Sequence, residues 1–150
     1  MTSPAYDPDN VFAKILRGEM PAEKVYEDEH TIAIMDIMPQ AKGHTLVLPK
    51  KPSRNILDID PDDLCHVMTT ARKIARAIKK AFNADGILVK QYVEAAAGQT
   101  VFHTHVHVLP RFEGVPLKHH SGEMADSDLL AKNAAAIRAA LAELEDNHAS

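Results

Sequence analysis

Hydrophobic and polar positions change period several times along the chain, and each change marks an element. In DNVFAKILRGEMP, residues Val11, Phe12, Ile15 and Leu16 share one face of a short helix. Asp9 or Asn10 can cap it and Gly18 can end it. Pro4 and Pro8, among polar neighbours, predict a loose start before it. Three runs follow, EKVYED, TIAIMDI and HTLVLPK, rich in β-branched or aromatic residues and separated by turn or charge signals. They predict strands, and their spacing predicts a meander. DIDPDDLCHVMTTARKIARAIKKAF then takes up a helical period. Asp60 is the N-cap candidate, Pro61 suits the first helical position, and Asp62 and Asp63 suit the positive end of the dipole. Leu64, Val67, Met68, Ala71, Ile74, Ala75 and Ile78 form its apolar stripe. GILVKQYV predicts another strand, EAAAGQ a small-residue loop, and the run through FHTHVHVLPR a last strand. The Ala- and Leu-rich stretch from Asp126 to Leu144 predicts a closing helix. Helix, strands, helix, strands, helix is the order of an α+β protein with a mainly antiparallel sheet.

Composition narrows the class. A chain of 150 residues with 45% apolar and 25% charged residues suits one soluble domain spanning 1–150. The net charge of −4 argues for neither a nucleic-acid nor a membrane surface. Arg72, Lys73, Arg76, Lys79 and Lys80 are therefore read as a solvated face near the negative end of the helix dipole. No apolar run approaches the roughly 18 residues of a membrane span, and MTSPAYDPDN lacks the pattern of a signal peptide. Cys65 is the single cysteine, so no internal disulfide can form. These features predict a cytoplasmic protein.

The candidate chemistry lies in FHTHVHVLPR. On a strand, His103, His105 and His107 point one way, with Val101 and Leu109 ending the row, while Phe102, Thr104, Val106 and Val108 point to a core. The imidazole face is expected to meet water, a metal or a substrate. Four readings compete: a solvated structural face, a zinc site, nucleophilic catalysis at phosphorus, and a non-catalytic nucleotide-binding module. Just upstream, AAAGQT lets backbone approach a ligand at Gly98, while Gln99 and Thr100 offer side-chain donors, so the loop can cradle phosphoryl oxygens. His44, in KGHTLVLPK, stands where it can reach the row. A neutral imidazole has one donor and one acceptor nitrogen, so a partner on its N–H aims the other nitrogen's lone pair at substrate.

HTHVHVLPR resembles the His-x-His-x-His-x-x signature of the histidine triad nucleotide-binding proteins, with Thr104 the one non-apolar x. VFAKILRGEMPAEKVYED, DIMPQAKGHTLVLPK and AAAGQTVFHTHVHVLPR extend the similarity over roughly residues 10–112, leaving an arm at 1–9 and a helical tail at 113–150. The bacterial Hint-like branch is the nearest in pattern. The resemblance implies a five-stranded antiparallel sheet with flanking helices, and a homodimer whose sheets join. It implies that His105 is the nucleophile forming a nucleotidyl-histidine, with His103, His107 and His44 as partners. It places Gly98, Gln99 and Thr100 at the phosphate and leaving group, Asp36 on the ribose hydroxyls, and Val11, Phe12, Ile15, Ile34, Ile37 and Leu46 around a purine. Relatives often carry a phosphate-contacting Asn around positions 92–93; here the run is Gln91, Tyr92, Val93, Glu94, and Gln91 or Tyr92 is the candidate substitute. Some also bind structural zinc through two cysteines at the places of Asn10 and Ala13, where no such site is expected. His119 and His120 are read as an exposed polar loop, and His30, His66 and His148 as structural or exposed.

The implied activity is hydrolysis or transfer of a purine nucleotide at its α-phosphate, of the nucleoside phosphoramidate type, with no metal or cofactor required. Dinucleoside polyphosphate hydrolysis and binding without turnover are the alternatives. Thr104 argues against the His-Pro-His uridylyltransferases.

Overall fold

The computed structural model describes residues 4–118 and 123–149, the side chains of 147–149 excepted. His119, His120 and the His148 side chain therefore lie outside the described residues. Helix α1 (Val11–Leu16) starts where the Asn10 side chain accepts from the Ala13 N–H at 2.9 Å and stops at Gly18, whose φ of 78° suits glycine. Strands β1 (Lys24–Glu27), β2 (Thr31–Met35) and β3 (Thr45–Pro49) form the meander. Helix α2 (Pro61–Phe82) has Asp60 as its N-cap and ends at Asn83, in the left-handed region at φ 50°. Strands β4 (Gly86–Lys90) and β5 (Val106–Arg111) and helix α3 (Ser127–Ala149) complete the fold.

The five strands lie in the order β1-β2-β3-β5-β4, every neighbouring pair antiparallel. Each face has its own core. Val25, Ala33, Met35, Val47, Val106 and Val108 pack with α2 and α3, while Ile32, Ile34, Leu46 and Leu48 pack with Phe12 of α1. Leu46 pairs with His107, and directly paired residues share a face, so His107 belongs to the α1 side. No described helix is long and apolar enough to cross a membrane.

Three expectations change. Met68 does not join the α2 stripe: it is exposed, while Val67, Ala71, Ile74, Ala77 and Ile78 are buried. It sits one residue past Val67 and so is rotated off the buried face. The strand predicted from GILVKQYV ends at Lys90, because Gln91 Oε1 accepts from the Ile56 N–H at 2.9 Å and turns the chain toward the 53–58 loop. The histidine strand begins only at Val106. Upstream, Thr104 gives its N–H to Ser53 O (2.8 Å) and its hydroxyl lies 2.6 Å from Ser53 Oγ, while the Pro49 carbonyl is taken by the His103 ring. Loop contacts thus replace the β3 ladder beyond Val47.

Candidate active site

A cleft opens on the α1 side. Its apolar lobe, about 160 Å³, is lined by Val11, Phe12, Ile15, Ile34, Ile37 and Leu46, with Asp36 on its wall. These are the seven residues that the resemblance placed around a nucleoside. A second lobe, about 290 Å³, is lined by Gln40, Tyr92 and Gly98. Thr100, His105 and His107 line both lobes and form the junction between them. Apolar walls on one side and polar groups on the other suit a ligand with a flat apolar end and a charged middle.

The hydrogen bonds fix the imidazole tautomers. His105 Nδ1 lies 2.7 Å from the His103 carbonyl oxygen, which only accepts, so Nδ1 carries the proton and Nε2 keeps the lone pair. Burial is the leading influence on the His105 pKa and lowers it, against the His103 carbonyl and the charge of Asp36, which favour protonation. The ring is therefore neutral at pH 7 and held edge-on by Phe12, with centroids 4.8 Å apart. His107 has the opposite tautomer. The Gln40 N–H donates to His44 Nδ1 at 3.1 Å, so a neutral His44 has its proton on Nε2, which lies 2.9 Å from His107 Nδ1. His107 Nδ1 then accepts, and its Nε2 carries a proton. Two adjacent rings, 5.0 Å apart, thus present a nucleophilic nitrogen and a donor nitrogen at one junction.

The row is not an open imidazole face, as the sequence suggested. His44 and His103 have no exposed surface, and His105 and His107 are 8% exposed. Burial is tolerated because the rings bond to carbonyls, to backbone N–H and to each other. His103 stands behind the cleft: its Nε2 donates to Pro49 O at 2.8 Å, and its Nδ1 lies 2.6 Å from the Tyr6 hydroxyl. His44 also stands behind, buttressing His107. Asp36 accepts from the Met38 N–H at 2.8 Å and has its second oxygen 3.4 Å from His44 Nε2. Among the described residues, Asp36, His44 and His107 form a set that could hold a metal ion, their ligand atoms lying within 4.8 Å of one another. Such an ion would have to replace the His44–His107 hydrogen bond, which supplies the donor tautomer.

Gln99 departs from its expected part as a phosphate donor. Its carboxamide is buried, donating to Arg54 O and Val101 O and accepting from Glu94 N and Asn55 Nδ2. Thr100 and Gly98 do line the cleft. Tyr92 takes the place at the second lobe, 5.4 Å from the His107 ring and against Gly98, whereas Gln91 is engaged at Ile56. His30 and His66, read as structural or exposed, are half-buried and stack on each other with centroids 3.7 Å apart. Sequence reasoning missed Gln40, which meets His44 four residues on, and Tyr6 and the Arg54–Glu94–Asn55 network, which form through contacts distant in the chain.

Burial of His103 also makes stability depend on pH. Desolvation, helped by the neighbouring His105, pushes its pKa down to about 4 against the opposing Pro49 carbonyl. In the unfolded chain the value is about 6.5, so between those limits the unfolded state takes up a proton that the folded state refuses. Stability is unaffected by this group above pH 6.5, falls as pH drops through the window, and levels off near pH 4. The full loss approaches about 3 kcal/mol. Urea unfolding at about pH 7 and pH 4.5 is expected to show most of it; equal midpoints would refute the assignment.

Fold and site together define a class: an antiparallel α+β sheet presenting alternating imidazoles at the junction of a two-lobed cleft. The HIT domain family model matches residues 17–114, and the chain belongs to the HIT family. It is 41% identical over 119 residues to an uncharacterised HIT-like protein of Methanocaldococcus jannaschii, covering 79% of this chain and 92% of the relative. It is 39% identical over 105 residues to the adenylylsulfatase HINT3 of Arabidopsis thaliana, covering 70% of this chain and 53% of that protein. A crystal structure of a Hit-like protein involved in cell-cycle regulation from Bartonella henselae superposes with a TM-score of 0.86 at 54% identity, covering 91% of this chain and 99% of that one. The family is one of nucleotide-binding proteins of hydrolase type.

Proposed function

We propose that the protein cleaves purine nucleotides at the α-phosphate, as a hydrolase or transferase of nucleoside 5'-phosphoramidates. The purine enters the apolar lobe and the ribose hydroxyls donate to Asp36. The α-phosphorus then lies at the junction, and the leaving group occupies the lobe beside Tyr92 and Gln40. His105 Nε2 attacks phosphorus and the P–N bond breaks, giving a nucleotidyl-histidine and an amine that takes up a proton from solvent, which the water of the second step gives back. Water then cleaves the P–His bond and releases the monophosphate. Thr100 and the His107 Nε2–H donate to the phosphoryl oxygens, where charge spreads in the transition state. The reaction needs no metal or cofactor, since nucleophile and donors are protein groups. The hydrogen-bond partners of His105 Nδ1 and His107 Nδ1, which leave a lone pair on one Nε2 and a proton on the other at one junction, are the observation that carries this reading.

A second leaving group has specific support. Lys90 Nζ donates to Gln40 Oε1 at 2.8 Å, placing a positive charge behind the second lobe, and the plant relative is an adenylylsulfatase. An anionic leaving group such as sulfate would profit from that charge, with the same attack by His105.

The test is trapping during turnover. Adenosine 5'-phosphoramidate and adenylyl sulfate are each mixed with the protein, quenched without acid and examined by mass spectrometry. An adenylyl adduct on His105 is expected with the true substrate, and chiral phosphorus should emerge with retained configuration after two in-line displacements. Turnover with inverted phosphorus and no adduct would sink the proposal.

A further inference from the structure

The N-terminal arm, loose by its sequence, is folded against the start of α1. Arg17 donates to Pro8 O at 2.7 Å, the Asn10 side-chain amide donates to Asp7 O at 2.7 Å, and Asp7 accepts from the Asp9 N–H at 2.9 Å. This turn delivers Tyr6 to His103, 97 positions away, with its hydroxyl 2.6 Å from Nδ1 and the two rings edge to face at 66°. The direction of that bond follows from the other side of the ring. Pro49 O only accepts, so His103 Nε2 carries the proton, Nδ1 has the lone pair, and the phenol donates.

We infer that Tyr6 is a positioning residue of the reaction, latching the His103 imidazole and thereby aiming His105. This rests on the reading of His105 as nucleophile. With both nitrogens bonded, the His103 ring cannot turn. Its Cα, and hence its carbonyl, is held in one direction, and that carbonyl is the acceptor orienting His105 through Nδ1–H at 2.7 Å. Without the phenol, His103 Nδ1 becomes a buried acceptor with no donor, and the ring must turn or admit water to satisfy it. Either movement passes to the carbonyl and tilts His105. Tyr6 touches neither lobe of the cleft, so nucleotide contacts are unchanged.

The test is Tyr6→Phe in the full chain, which keeps the aromatic packing and removes only the hydroxyl. Turnover number is expected to fall about tenfold with KM within about twofold, because orientation is lost and binding is not. Nitrogen-15 spectra should show His103 Nδ1 moving toward the value of an unbonded ring nitrogen, and the His105 Nδ1 proton exchanging faster with water. An unchanged turnover number, a rise in KM alone, or an unmoved His103 resonance would each overturn the latch. If the wild-type protein turns over no nucleotide, the catalytic reading falls by itself, and the latch stands or falls on the two ring resonances.

Discussion

Replacing His105 with alanine is expected to lower the turnover number by about 10⁴-fold or more, since loss of the proposed nucleophile removes the covalent route altogether. Nucleotide affinity should stay within about threefold, because in the proposed pose most contacts to base, ribose and phosphate come from other residues. The asymmetry follows from where the ring stands. The apolar lobe keeps Val11, Ile15, Ile34 and Leu46, Asp36 keeps its place on the wall, and Thr100 and His107 still line the junction. What disappears is one neutral nitrogen whose lone pair was aimed by the His103 carbonyl. Phe12, which packs edge-on against the ring, gains space, so binding can tighten slightly as the purine settles deeper. Single-turnover rates and calorimetric affinities on the same preparation check both halves. His105→Gly with added imidazole offers a positive control, because a free imidazole in the vacated space restores part of the rate if the missing group is a nucleophile. Parallel loss of rate and affinity would instead make His105 a structural or binding residue.

The same proton placement sets the acid side of the rate profile. In the proposed mechanism His105 attacks while neutral, and burial lowers its pKa below the ordinary imidazole value, so activity is expected to extend further into acid than an exposed histidine would allow.

Elements held together by local chemistry were readable from the sequence. The Asp60–Pro61 start of α2, the Asn10 cap of α1 and the meander follow from capping, proline placement and β-branched runs. The seven residues of the apolar lobe were also grouped in advance, but by the resemblance: from periodicity alone, Ile34 and Leu46 are simply strand residues facing a core. The misplacements share one cause. His103, Thr104, Gln91 and Gln99 have backbone or side-chain partners in the 49–58 segment, which no local pattern reveals. Period two put three histidines on one strand face, yet the strand starts at Val106. Only His107 is positioned by the ladder, while His103 and His105 are positioned by hydrogen bonds to Pro49, Tyr6 and each other.

Gln99 gives the clearest contrast between a residue that touches ligand and one that shapes the loop around it. Gln99→Ala is expected to destabilise the protein by about 3 kcal/mol, since each buried polar group left unpaired costs about 1–3 kcal/mol and the loop surface lets water recover part of it. Four groups lose their partner at once: Arg54 O, Val101 O, the Glu94 N–H and one Asn55 amide proton. One of them sits at a costly backbone position. Glu94 has a φ of 71°, in a region that residues other than glycine seldom enter. It is kept there by the Gln99 bond to its N–H and by two hydrogen bonds from Arg54 and one from Asn55 to its carboxylate. Without Gln99, that turn can relax toward ordinary φ, and the segment running through Thr100 to His103 shifts with it. The turnover number should therefore fall together with the urea midpoint. A side chain that only contacted phosphate would behave oppositely: its removal would raise KM and leave stability within about 0.5 kcal/mol, as for surface substitutions. Urea unfolding and steady-state kinetics on the one variant decide between the two, because only the loop-holding role couples them.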